Sequence, residues 1–167
     1  NRLNAPDAMA AAGMREIGIG VLLGLTDWRI ETLALAEHAH YLIKRYWQSH
    51  VSFSFPRLRP AYEVEGSEFK HLLNDKNLVQ MIIALRLCFA DAGLTLSTRE
   101  GAKLRDNLIK LGITKISAGS KTSPGGYSGR SAAVEQFEVN DERSAGEVAA
   151  MIKTQGFEPV WRDWDIA

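Results

Sequence analysis

The apolar positions of this chain alternate between short continuous runs and stripes at helical spacing, and each switch predicts an element. The opening "NRLNAPDAMAAAGMREIGIG" reads as the end of a helix, a glycine stop at Gly13, and then a strand. "MREIGIGVLLGL" is an apolar run interspersed with glycine, the pattern of a strand buried on both faces. Thr26 or Asp27 then caps a helix through "DWRIETLALAEHAHYLIKRYWQSH", whose Leu35, Leu42 and Tyr46 supply a broad apolar stripe. "VSFSFPRL" is a short strand ending at Pro56, and "RPAYEVEGSEFKHL" is a polar loop. Asn74 or Asp75 caps the next helix, "KNLVQMIIALRLCFADAG", which stops at Gly93. "LTLSTR" is a strand, "EGAKLRDNLIKLG" a helix closed by glycine, and "ITKISAG" a further strand. "SAGEVAAMIKTQG" is the last helix, with Ser144 and Glu147 in the S-x-x-E spacing of a capping box.

The predicted order is therefore strand then helix, four times over, which places the chain in the α/β class with parallel strands covered by helices. Two architectures share that order: a small doubly wound sheet, and half of a (β/α)8 barrel. The second leaves two outer strand edges that call for another half. Residues 1–167 read as a single segment, without repeats, low-complexity tracts or a linker. Because the chain opens inside a helix-to-strand unit, an N-terminal portion is expected before Asn1.

Composition narrows the function classes. With 167 residues, 46% hydrophobic and 24% charged, the chain can bury the core of one globular unit. Twenty basic and twenty acidic residues cancel, so no whole-chain field favours nucleic acid or an anionic membrane, and any charge-based function must be local. No apolar run reaches the roughly 18 residues of a bilayer span and no basic-then-apolar leader is evident, so a cytoplasmic location is expected. The one cysteine, Cys88, excludes an intrachain disulfide, and its apolar neighbours predict a buried, inert thiol. His38 and His40, two residues apart on a helix, point to different faces, and no protein metal site is expected.

The chemistry-bearing residues gather after the strands. "GLTD", "PRLRP", "STRE" and "SAGSKT" follow the four strands in turn, and in parallel α/β folds ligands bind outside the carboxyl ends of the strands. Those segments bring Arg57, Arg59, Arg99 and Lys121 together with the hydroxyls of Ser97, Thr98, Ser120 and Thr122. This is an anion-binding set, suited to carboxylate or phosphate alike. "SAGSKTSPGGY" is not a Walker loop, because Ser120 separates Gly119 from Lys121 and no glycine stands five residues before Gly119. "GYSGR" lacks the spacing of a nucleophile elbow.

The blocks "GIGVLLGLTDWR", "SFSFPRLRP", "LSTRE", "SAGSKTSPGGY", "EQFEVNDERS" and "PVWRDWD" together resemble the C-terminal half of the 2-iminoacetate synthase family, the radical S-adenosylmethionine tyrosine lyases of thiamine synthesis. The resemblance runs from about Arg2 to Asp165. A sister family, the tyrosine lyases that mature FeFe-hydrogenase, shares most blocks but carries a C-terminal cysteine motif, whereas this chain ends in "WRDWDIA". The resemblance implies a partial (β/α)8 TIM-type barrel, roughly strands 5 to 8 with their helices, including the region shared with biotin synthase. It also implies a 4Fe-4S cluster and S-adenosylmethionine in the full-length enzyme. The 5′-deoxyadenosyl radical then attacks tyrosine, whose Cα–Cβ bond breaks to give dehydroglycine and p-cresol, the dehydroglycine passing to thiazole synthase.

Residue by residue, Gly20, Leu22, Gly24 and Asp27 match the family's G-x-I-x-G-x-x-E adenosine pattern, with Leu and Asp as departures. Ser120, Lys121 and Thr122 fall where the amino-acid head group of tyrosine is held, the sister family having arginine in place of Lys121. Arg57, Arg59 and Arg99 would complete the polar wall. The C-x-x-x-C-x-x-C cluster motif is absent, so this chain alone is expected to be inactive. The alternatives are a stand-alone binding or assembly module, docking to thiazole synthase or to itself through open strand edges, and an unrelated phosphate-binding half-barrel.

Overall fold

The computed structural model describes residues 2–58, 70–122 and 139–161. A 3-10 turn at Arg2–Asn4 leads into helix α1 (Ala5–Ala11), which ends before Gly13 at φ 81°, a left-handed conformation that glycine adopts without a Cβ penalty. Strand β1 (Glu16–Gly20), helix α2 (Trp28–Arg45), strand β2 (His50–Ser54), helix α3 (Asp75–Cys88), strand β3 (Gly93–Leu96), helix α4 (Ala102–Ile109), strand β4 (Lys115–Ile116) and helix α5 (Ala145–Thr154) follow. The caps are local in origin: Asp27 accepts from Arg29 N, Asn74 from Asn77 N, and Ser144 with Glu147 closes a reciprocal box.

The four strands form one parallel sheet in the order β1-β2-β3-β4. That order has no reversal. Right-handed crossovers between successive parallel neighbours put every connecting helix on the same side, whereas a doubly wound sheet needs a switch point to cover both sides. The fold is thus α/β, a half-barrel of the partial TIM type.

Register divides the side chains by face. Ile17 and Ile19 align with Val51 and Phe53, Phe53 with Leu94, and Leu96 with Ile116. All but Ile116 are buried, against Leu35, Ala39 and Leu42 of α2, Leu78, Met81, Ile82 and Leu85 of α3, and Leu108 of α4. The other face carries Glu16, Gly18 and Gly20, aligned with His50, Ser52 and Ser54, then Gly93, Thr95 and Lys115. β1 is therefore not buried on both faces, as its composition predicts; Glu16, Gly18 and Gly20 are exposed and only Ile17 and Ile19 are covered. Its glycines answer to a close approach instead: a Cβ on Gly20 would lie 2.3 Å from Ser54 Oγ.

This small-residue face is concave. Lys115 Nζ on β4 forms an ion pair with Glu16 Oε2 on β1. In a flat sheet those outer strands would stand about 14 Å apart, beyond comfortable reach for the two side chains, so the sheet must curl toward them. Glu16 and Lys115 are the first residues of their strands, so the pair bridges the floor of the half-barrel.

Candidate functional site

Parallel strands in one sheet end along one edge, and that edge carries the described residues of the four segments that sequence singles out. After β1 the chain continues beside the segment after β2: Leu23 N donates to Pro56 O at 2.8 Å and Leu58 N to Leu23 O at 2.8 Å. Gly20, Leu22, Gly24 and Asp27 thus lie on one strap over the end of β1. Leu22 is exposed, Gly24 sits at φ 116° with Leu58 Cβ 3.1 Å from where its own Cβ would be, and Asp27 caps α2. Each glycine has a backbone reason to be glycine, in addition to any ligand.

Arg57 is where sequence and structure differ most. Expected in the polar wall, its side chain is only 4% exposed and its donors are committed. Nε donates to Glu100 Oε1 at 2.7 Å, Nη1 to Leu73 O at 3.0 Å, and Nη2 to Asp75 Oδ1 at 2.5 Å and to Glu100 Oε2. Burial opposes the charged guanidinium, but the bonds from Glu100 and Asp75 outweigh it and raise the Arg57 pKa. Arg57 therefore ties the end of β2 to the start of α3 and to the loop before α4. Arg57 also lines a groove of about 560 Å³, together with Asp75, Gly101, Lys103, Asn107 and Asn140.

Arg99 is half-buried on the turn after β3, its N donating to Ser97 Oγ at 3.4 Å, while Thr98 beside it is 2% exposed. Ser120 and Thr122 are half-buried and Lys121 is exposed in the segment after β4, directly after Gly119 at φ 61°. Arg59 lies outside the described residues, as does the "SPGGY" part of "SAGSKTSPGGY".

Sequence reasoning missed a second charged network here. Arg105 of α4 is fully buried and pairs with Asp141 Oδ2 through Nη1 while donating through Nη2 to Ser117 O. Arg143 reaches Asp141 Oδ1 at 2.9 Å through Nε and Asp106 Oδ1 at 2.7 Å through Nη2. Burial works against the Asp141 carboxylate, but hydrogen bonds from Arg143 and the charge of Arg105 prevail, and its pKa falls from 3.8 to about 2. Burial pulls Arg105 below its ordinary value, whereas Asp141 and Asp106 raise Arg143. The available signal was Arg105 lying three residues before Leu108, on the buried side of α4.

The fit to an iron-sulfur cluster is poor. Cys88 is exposed, not buried as its neighbours predict, because α3 ends there and the following Phe89 takes the inward position, its ring 5.4 Å from that of Phe53. Cys88 also stands at the end of α3 that leads into the start of β3, opposite the strand ends that carry the site. Among the described residues no group of three His, Cys, Asp or Glu could hold a metal ion. Any cluster must therefore take its ligands from outside the described residues. No helix among those residues is long and apolar enough to cross a membrane.

Comparison with known proteins gives this arrangement relatives. The chain is 46% identical over 165 residues to 2-iminoacetate synthase of Escherichia coli K12, and equally so to that of Salmonella typhimurium LT2. In both cases the match covers 98% of this chain and 43% of the relative, so the chain spans less than half the length of these relatives. Among solved structures it resembles HydG, a maturase of the FeFe-hydrogenase, at a TM-score of 0.86 and 38% identity over 96% of this chain and 35% of the other. HydG of Carboxydothermus hydrogenoformans gives a TM-score of 0.81 at 37% identity, over 98% of this chain and 37% of that one. Residues 54–158, from the last residue of β2 to just beyond α5, match the profile of the Biotin and Thiamin Synthesis associated domain, and the chain belongs to that family.

Proposed function

We propose that residues 1–167 are one structural unit, the C-terminal half-barrel of a cytoplasmic 2-iminoacetate synthase that cleaves the Cα–Cβ bond of tyrosine to dehydroglycine and p-cresol. The observation that carries this reading is 46% identity along nearly the whole chain to two 2-iminoacetate synthases, in a fold that brings the four strand ends to one edge. S-adenosylmethionine and a 4Fe-4S cluster would supply the radical chemistry, and the cluster would be held by protein outside the described residues. The chain by itself is therefore inactive.

Within the complete enzyme the strap from Gly20 to Asp27 borders the adenosine of the cofactor. Ser120 and Thr122 offer hydroxyls, and Lys121 a point charge, to the carboxylate of tyrosine, with Arg99 on the neighbouring strand end. Arg59 belongs to the same wall by its position in sequence. Arg57, with its donors already engaged, frames the site and does not contact substrate. The dehydroglycine released at this edge is passed to thiazole synthase.

Replacing Lys121 by Met in the complete, cluster-loaded enzyme tests the assignment. Losing one charge-assisted contact of about 1.5–3 kcal/mol should raise the tyrosine KM at least tenfold while S-adenosylmethionine binding is unchanged. An unchanged tyrosine KM would remove Lys121 from the clamp.

A further inference from the structure

The short segment before α5, Asn140 to Arg143, bonds to two strand-end loops at once. Asn140 N and Asp141 N both donate to Thr98 O, at 3.0 and 3.1 Å, and Asn140 Nδ2 donates to Arg99 O at 2.9 Å. Arg143 O accepts from Gly119 N at 3.0 Å, directly before Ser120. Arg105 then locks the assembly from beneath, one arm on Asp141 and the other on Ser117 O. The backbone of Thr98 and Arg99 on one loop and of Gly119 on the other is thereby tied to one four-residue segment.

Stability alone does not call for this chemistry. A buried ion pair is often no better for stability than apolar residues of the same volume, because desolvation offsets the attraction. What a guanidinium adds is direction: its planar fork fixes two acceptors at a set separation and angle. Here the two acceptors belong to different loops, Asp141 to the returning segment and Ser117 to the end of β4. Sites that bind a small polar head group lose affinity steeply when their elements drift by even an ångström.

We infer that Arg105, Asp141 and Asn140 are positioning residues that set the spacing between Arg99 and the Ser120–Thr122 clamp, and through it the affinity for the amino-acid head group of tyrosine. This rests on the proposed function, which assigns the clamp to tyrosine. None of the three touches substrate; each acts through the backbone of a loop that does.

The test uses the complete, cluster-loaded enzyme and four variants. Arg105→Lys keeps the charge but cannot hold Asp141 and Ser117 O together. Asn140→Ala removes only the exposed side-chain bond to Arg99 O and leaves the core untouched. Asp106→Asn, which touches Arg143 alone within the network, is the control, and Lys121→Met reports on the clamp itself. Readouts are the tyrosine KM, the S-adenosylmethionine KM, and 5′-deoxyadenosine formed per tyrosine consumed.

The expected result is a tyrosine KM raised at least tenfold in Arg105→Lys and at least threefold in Asn140→Ala. The S-adenosylmethionine KM should stay within twofold, excess 5′-deoxyadenosine should form, and Asp106→Asn should behave as the parent. A merely structural role would lower thermal stability without splitting the two KM values. If Arg105→Lys does not fold, Asn140→Ala decides alone. A parent-like tyrosine KM in Asn140→Ala and any folded Arg105→Lys, beside a raised one in Lys121→Met, overturns the positioning role. A parent-like value in Lys121→Met overturns the clamp, and with it the reading on which the inference stands.

Discussion

Glu100→Gln should destabilise the fold by about 3 kcal/mol, far more than an ordinary charge substitution. Glu100 is 1% exposed and Arg57 4%, and the carboxylate accepts from both Nε and Nη2 of the guanidinium. Removing one member of a buried pair typically costs about 3–5 kcal/mol, because the other charge is left buried. Asp75 and Leu73 O still hold Arg57, so the lower end applies, Asp75 being 64% exposed and well screened. With a urea dependence of about 1–3 kcal/mol per molar, the unfolding midpoint should fall by roughly 1–3 M. Far-UV circular dichroism would follow the loss of the helices. Asp75→Asn should cost at most about 1 kcal/mol. The double variant Arg57→Met with Glu100→Leu should recover most of the loss, since it removes both buried charges. A Glu100→Gln cost below about 1 kcal/mol, equal to that of Asp75→Asn, would refute the buried pair as the frame of the β2 end.

Two further outcomes follow from the structure. The Asp141 pKa is depressed from 3.8 to about 2, so its contribution is complete above about pH 4 and is lost as the pH falls toward 2. Discounted for the solvent-open side of Arg143, it amounts to roughly 2 kcal/mol; Asp141→Asn should flatten the pH dependence of the unfolding midpoint between about pH 4 and 2, and an unaltered slope would contradict the network. Ser144→Ala removes the side-chain half of the capping box of α5, in which Glu147 N donates to Ser144 Oγ at 3.3 Å, and should cost about 1 kcal/mol with faster amide exchange confined to the first turn of α5. Equal exchange in parent and variant would show that the box does not form.

Much of this molecule was legible in its sequence, because the information is local. A strand or helix declares itself within a few residues through its period, and Asp27, Asn74 and Ser144 cap helices through bonds spanning two or three positions. The same locality placed the arginines, hydroxyls and Lys121 after the strands, where one parallel sheet must bring them to a common edge. It could not say which charges would be consumed by other charges. Arg57 and Glu100 are 43 residues apart, Arg105 and Asp141 36, and Glu16 and Lys115 99. In the sequence such residues look like any solvated pair, since an ion pair leaves no periodic trace. Periodicity alone left the half-barrel and the doubly wound sheet open; the family resemblance implied the half-barrel, the strand order without a reversal bears it out, and only the curl of that sheet joined Glu16 to Lys115. Short-range sterics and hydrogen bonding write the elements into the sequence; the pairing of distant charges waits on packing, which brings the partners together and removes the water between them.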